Sequence, residues 1–231
     1  MFGNILLVSV IGSLLCLDRV FVQAMISRPV VIAPLVGLML HNFYAGLVIG
    51  AVMELIWIDR LPIGTYIPPN DSLAAVLATS AAVLAAPKGG APPPELISLS
   101  VLTAVPFGLA AKRMDTMIIR ANDVLSDGAL QAAERNDVRS VARKSYRGLL
   151  RVFVADTLFL LAAQCAVIPL IRWGFPELNA SALKSLLWMY YFLPLVGIAV
   201  AVNMLKLRRA VAVFCAVFLA VAALLEIFHV L

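Results

Sequence analysis

The sequence predicts an all-α polytopic membrane protein, with broken helices and a re-entrant hairpin in its first half and three clean spanning helices in its second. Two observations carry that reading. First, 63% of the 231 residues are hydrophobic and 13% are charged, with a mean hydropathy of +1.00. A soluble domain averages about 45–50% apolar and about 25% charged. A water-soluble fold of this length has too little interior to bury so much apolar surface. Soluble enzymes, nucleic-acid binders, disulfide-stapled secreted scaffolds and disordered chains are therefore excluded. Second, apolar runs of membrane-crossing length recur after residue 151, whereas earlier runs are short and interrupted by Pro, Gly and charged residues.

The first region, residues 1–111, reads as a substrate pathway. Residues 5–17 are apolar but rise only about 20 Å as a helix, and Asp18 and Arg19 follow at once. No positive residue precedes this run, so it does not resemble a cleaved signal peptide. After Gln23 and Arg28 comes an apolar stretch over 29–58, broken by Pro34, Gly37, His41-Asn42, Gly46, Gly50 and Glu54. Asp59-Arg60 leads into LPIGTYIPPNDS, with three prolines and a glycine, and a short apolar run over 73–86 follows. A Pro/Gly loop between segments too short to span marks a re-entrant hairpin or a broken helix. At membrane depth such backbone is tolerated only where protein buries it or a polar cavity is lined by it. Residues 88–94 form a loop, and 96–111 are a further apolar segment.

The second region, residues 112–151, holds half of all Lys and Arg, with five acids interleaved. It is too polar to cross lipid and is expected on the cytoplasmic side, as amphipathic helices on or beside the membrane. Arg139, Arg143 and Arg147 recur every four residues as one basic stripe, suited to anionic headgroups or to a docking partner. The third region, residues 152–231, is a scaffold of three spans, at 152–171, 183–205 and 210–231. Lys206, Arg208 and Arg209 mark an inside turn, and the less basic 172–184 faces outside. The net charge of +5 fits this loop bias and needs no nucleic acid. Cys16, Cys165 and Cys215 sit in apolar runs without CxxC spacing, and His41 and His229 stand far apart. Neither type suggests a disulfide or a metal.

Glu54 is the sharpest single residue, because a carboxylate amid apolar neighbours at mid-membrane costs about 2.5–3.5 kcal/mol on insertion scales. Two readings stand: it accepts hydrogen bonds from the hydroxyls of a sugar or polyol, or it pairs with Arg19, Arg28 or Arg60. Asp18 and Gln23 also lie near membrane depth, but on one ideal helix they point about 140° apart. Joint use needs a break in that helix, and an ion pair is an equal reading for Asp18. Asn70 and Asp71 after Pro68-Pro69 are either ordinary turn chemistry or a polar tip presented into a cavity. His41-Asn42 is a hinge, a second tip or a loop between half-helices. Gly46 and Gly50 form GxxxG, which favours close helix packing. Trp57 either stacks on a sugar ring or sits at an interface, and Trp188, Tyr190 and Tyr191 belong to an interfacial belt. Asp156, Gln164 and Asn203 read as interhelical hydrogen-bonding groups. HExxH, GxSxG, GxxxxGK[ST] and GxGxxG are all missing, so no catalytic residue and no cofactor is expected.

The run from Leu17 to Thr79 resembles the IIC membrane subunit of the mannose/fructose/sorbose family of the sugar phosphotransferase system. The resemblance is carried by Leu17-Asp18-Arg19, Ser27-Arg28-Pro29, Pro34-Leu35-Val36-Gly37-Leu38, Gly46-Leu47, Ile49-Gly50-Ala51, Glu54-Leu55, and Pro62-Ile63-Gly64 leading to Pro68-Pro69-Asn70. The later layout is also similar, with Asn203-Met204-Leu205 near the end of the second span. The resemblance implies a sugar permease of the bacterial inner membrane. It implies a homologous IID membrane subunit as partner, a trimer of IIC-IID pairs, and cytoplasmic IIA and IIB proteins that phosphorylate the sugar. It carries a substrate-binding role onto Asp18, Gln23, Glu54, Asn70 and Asp71. The chain departs from the family at His41-Asn42, where Gly-Asp is common, and at Asn70, where many members have Asp. The alternatives are an ion-gradient-driven secondary transporter, with Glu54 or Asp18 titrating, and a non-transporting membrane subunit.

Overall fold

The computed structural model describes residues 1–60, 64–87, 90–204 and 210–227. Pro62-Ile63, Lys88, the basic turn at Lys206, Arg208 and Arg209, and His229 lie outside the described residues. The described residues form eight α-helices and no strand. They are α1 (Phe2–Cys16), α2 (Pro29–Met39), α3 (Phe43–Ile56), α4 (Asp71–Ala85), α5 (Pro94–Glu134), α6 (Val138–Gly174), α7 (Ala180–Met204) and α8 (Ala210–Ile227). Short 3-10 turns at Leu17–Arg19 and Phe175–Glu177 extend α1 and α6. By length and composition, four helical stretches are able to cross a membrane: Phe2–Arg19, Pro94–Glu134, Val138–Glu177 and Ala180–Met204. The third expected span, α8, is described only to Ile227 and groups with the shorter apolar helices.

The broken first half is visible as three short helices. α2, α3 and α4 rise about 16, 21 and 22 Å, against a hydrocarbon core of about 30 Å. Pro29 starts α2, where its missing N–H costs nothing. Asn42 caps α3 by accepting from the Ala45 N–H at 3.3 Å. Between them Leu40–Asn42 turns sharply, with His41 at φ +59°. The tight helical hairpin is thus α2–α3, and the Pro/Gly run beyond it links α3 to α4.

Glycine sets how closely α2 and α3 approach. A Cβ on Gly46 would collide with the Ala33 carbonyl, and one on Gly50 would stand 2.5 Å from the Pro29 carbonyl oxygen. Those obstacles are backbone, so no rotamer change relieves them. The GxxxG spacing therefore serves packing. α4 lies at the centre, against α1, α2, α3, α5 and α6. Leu73, Val76, Leu77, Ala78 and Ala81 are fully buried there, and its Ala/Ser-rich surface lets five neighbours crowd in.

The basic middle segment, expected as amphipathic helices on or beside the membrane, is continuous with its neighbours. It is helical, but not as elements of its own: it forms the ends of α5 and α6, which run unbroken through it and turn at Arg135–Asp137. The physical reason is that polarity stops a span but not a helix. Between residues 107 and 134 no proline intervenes, and Asp137 restarts the next helix by accepting from the Ser140 N–H at 3.0 Å. At about 1.5 Å per residue, α5 and α6 are roughly 60 and 55 Å long, close to twice the hydrocarbon thickness.

Replacing Gly46 or Gly50 with Val should force α2 and α3 apart and destabilise the protein by about 1–3 kcal/mol, as overpacking does. Thermal unfolding of the purified protein in lipid nanodiscs reads this out. An unchanged midpoint would contradict the packing role.

Candidate functional site

The chain leaves helical geometry after Arg19, and the segment up to Arg28 must satisfy its backbone by other means. Asp18 does this. Its Oδ1 accepts from the Ala24 N–H at 2.7 Å, and its Oδ2 accepts from the Ser27 N–H at 3.1 Å and the Ser27 hydroxyl at 3.2 Å. The Asp18 carbonyl accepts from the Gln23 N–H at 2.7 Å. Gln23 and Met25 adopt φ of +57° and +63°, a left-handed conformation unusual for residues with a side chain. The break that one helix would have denied to Asp18 and Gln23 is therefore present, and it brings them to a common wall.

That wall bounds a cavity of about 510 Å³, within the range of small-molecule sites. Asp18, Gln23, Ser27, Asp71 and Ser72 supply hydroxyl, amide and carboxylate groups. Arg19, Arg28 and Arg60 supply donors. Met25, Trp57 and Pro68 supply an apolar face. Asp71, the first residue of α4, has its Oδ1 3.7 Å from Arg19 Nη1 and accepts there from the Ser72 N–H at 2.9 Å. The lining thus combines hydrogen-bonding groups with one aromatic side chain.

Two expected site residues stand off this wall. Glu54 lies near the end of α3, which runs antiparallel to α2 and so delivers the carboxylate to the start of α2. There Oε1 accepts from Arg28 Nη1 at 2.8 Å, and Oε2 accepts from the Val30 N–H at 3.4 Å. Of the two readings of Glu54, the arginine partner is realised as Arg28, and it is Arg28 that reaches the cavity. Asn70 is 2% exposed and engaged through both amide atoms. Its Oδ1 caps α4 through the Leu73 N–H at 3.0 Å, its Nδ2 donates to Asp115 Oδ2 at 3.0 Å, and its own N–H donates to the Gly108 carbonyl at 3.0 Å. It bolts α4 to α5 rather than presenting a tip.

Sequence reasoning missed the cavity roles of Ser27 and Ser72 and treated the three arginines only as partners or orientation signals. Ser-Arg-Pro before an apolar run was the available cue, since Pro29 starts a helix and holds Arg28 extended at its mouth. Asp156 and Gln164, expected to bond between helices, are buried with Asp156 Oδ1 and both Gln164 amide atoms unpartnered among the described residues. Asn203 is exposed near the end of α7.

Residues 2–230 match the family described as PTS system sorbose-specific IIC component. The chain belongs to this IIC family of the phosphotransferase system. IIC components are the transport subunits of that system and work with its other components, IIB carrying out the phosphorylation, so this IIC chain is a non-enzymatic sugar-permease subunit of the bacterial inner membrane. It is 22% identical over 208 residues to the PTS system mannose-specific EIIC component of Escherichia coli (strain K12), covering 88% of this chain and 74% of the relative. It is 33% identical over 85 residues to the putative N-acetylgalactosamine permease IIC component 2 of the same strain, a match spanning 37% of this chain and 58% of that relative. Two solved structures share the fold. One, described as the structure of a membrane protein, has a TM-score of 0.73 at 17% identity, covering 96% of this chain and 87% of the other. The second is the cryo-EM structure of the mannose transporter ManYZ with microcin E492, with a TM-score of 0.63 at 18% identity and the same coverage.

Asn70→Ala in this IIC chain should cost about 2 kcal/mol, from a lost helix cap and a half-buried Asp115 left without its donor. A lowered thermal midpoint of the purified protein is expected. No change would show that Asn70 does not bolt α4 to α5.

Proposed function

We propose that the cavity between the 17–28 segment, Trp57 and the start of α4 is where this IIC subunit binds a hexose-type sugar for translocation. The observation that carries the reading is the convergence of Asp18, Gln23 and Asp71 with Trp57 on the lining of one cavity. A sugar leaving water needs its hydroxyl hydrogen bonds replaced, and carboxylate and amide groups in a confined site do this most strongly. The apolar face of a pyranose then lies against Trp57. Glu54 acts one step behind, fixing Arg28 so that its remaining donors face the cavity. Asn70 acts through the position of α4.

Transport follows by alternating access. The short helices α2, α3 and α4 do not each span the bilayer, so in this reading their hairpins are re-entrant and move as a unit against the longer helices. Sugar exposed to the cytoplasm is phosphorylated by IIB, itself charged by IIA, and the charged product cannot return through lipid. The membrane partner is a IID subunit, in a trimer of IIC-IID pairs. The pairing is supported by the mannose transporter ManYZ sharing this fold.

Calorimetric titration of the purified IIC-IID complex with hexoses, amino sugars and sorbose tests the site. Asp71→Asn and Gln23→Ala should each weaken the preferred sugar about tenfold, or about 1.4 kcal/mol, the worth of one strong hydrogen bond. Glu54→Ala should abolish measurable binding by releasing Arg28. Wild-type affinity in all three variants would rule the cavity out.

A further inference from the structure

Arg19 lines the cavity with its charge under-committed. Its single ion pair, to Asp71, is long at 3.7 Å, and its buried Nη1 makes no hydrogen bond among the described residues. A guanidinium offers five donors and keeps its charge at any physiological pH. Two further carboxylates, Asp115 and Asp156, lie within its electrostatic reach. Asp115 is already held by Asn70. Asp156 is not: it is 3% exposed, and its Oδ1 has no hydrogen-bond partner among the described residues.

The helix register explains the placement. α1 and α6 run antiparallel, with Met1 Sδ 3.1 Å from Arg172 Nη1 at one end and a Cβ on Gly12 3.4 Å from Leu160 Cδ1 further along. One more turn brings Cys16 level with Asp156, and the Leu17–Arg19 turn packs on α6 just beyond. Asp156 is thus placed on α6 near the Leu17–Arg19 turn and does not line the cavity, whereas Asp71 does.

We propose that Asp156 is a positioning residue for ligand binding, an alternative seat for the Arg19 side chain when a neutral polyhydroxyl ligand takes Asp71. Without such a seat, freeing Asp71 would leave the buried Nη1 end of the guanidinium with no carboxylate partner. With it, the guanidinium exchanges one carboxylate for another, and Asp71 becomes available to the ligand at small cost. Ligand occupancy then tightens the 17–28 segment against α6. This inference rests on the cavity being the sugar site.

The test is a double-mutant cycle on the IIC-IID complex in lipid nanodiscs, using the preferred sugar of the panel. Asp156→Asn should weaken binding about tenfold, because Arg19 stays on Asp71. In an Arg19→Gln background the same change should weaken it less than twofold, and Asp156→Glu should recover most of the affinity. Equal losses in both backgrounds would overturn the proposal, since a merely structural Asp156 acts without regard to Arg19. A ligand-free arm measures thermal midpoints for the same variants. Non-additive shifts are expected, and additive shifts would overturn the coupling whatever the sugar does. If the wild-type complex binds no sugar at all, the cavity assignment fails, and the thermal cycle alone decides whether Arg19 and Asp156 interact.

Discussion

The carboxylate of Asp18 holds the arrangement together. Where α1 ends, the chain cannot turn into α2 without leaving backbone N–H groups unpaired in an apolar setting, and each such group is costly. Asp18 collects Ala24 and Ser27, and the Ser27 hydroxyl as well. The segment it folds places Gln23 and Arg28 beside Asp71 and Trp57. A membrane protein can break a helix only where polar groups are already present to receive the loose ends. The same polar groups then make a binding surface.

The second constraint is close approach. Gly46 and Gly50 bring α3 onto α2, and that contact carries Glu54 to the N-terminus of α2, where a carboxylate complements both the helix dipole and Arg28. Packing in the hairpin and electrostatics at the cavity mouth are therefore one feature. α4, crowded by five neighbours, supplies Asp71 from a helix that has little room to shift by itself.

Much of this was legible in the residues. Composition and run length predicted a helical membrane protein, and the interruptions before residue 72 predicted short helices. Asp18 and Gln23, polar groups near membrane depth by sequence, and Asp71, a turn residue or polar tip by sequence, all line the cavity. Glu54 and Asn70 each admit two readings from sequence, a ligand contact or a structural partner, and the structure shows the structural partner in both: Glu54 meets Arg28, and Asn70 caps α4 and binds Asp115. Sequence shows which polar residues sit among apolar ones, but their partners lie 26 and 45 residues away, and only the tertiary fold brings those together. The continuity of α5 and α6 is not legible for a different reason. Hydropathy reports where lipid ends and carries little information on where a helix does.

Trp57 gives the most direct test that sugar occupies this cavity. With Trp173 and Trp188 replaced by Phe, Trp57 is the single tryptophan of the chain, and its emission can be followed while the sugar is titrated into the complex, reconstituted with a IID partner whose own tryptophans are replaced. The account predicts a saturable change in Trp57 emission with the same midpoint as calorimetric binding. Sugar binding that leaves Trp57 emission unaltered would contradict it.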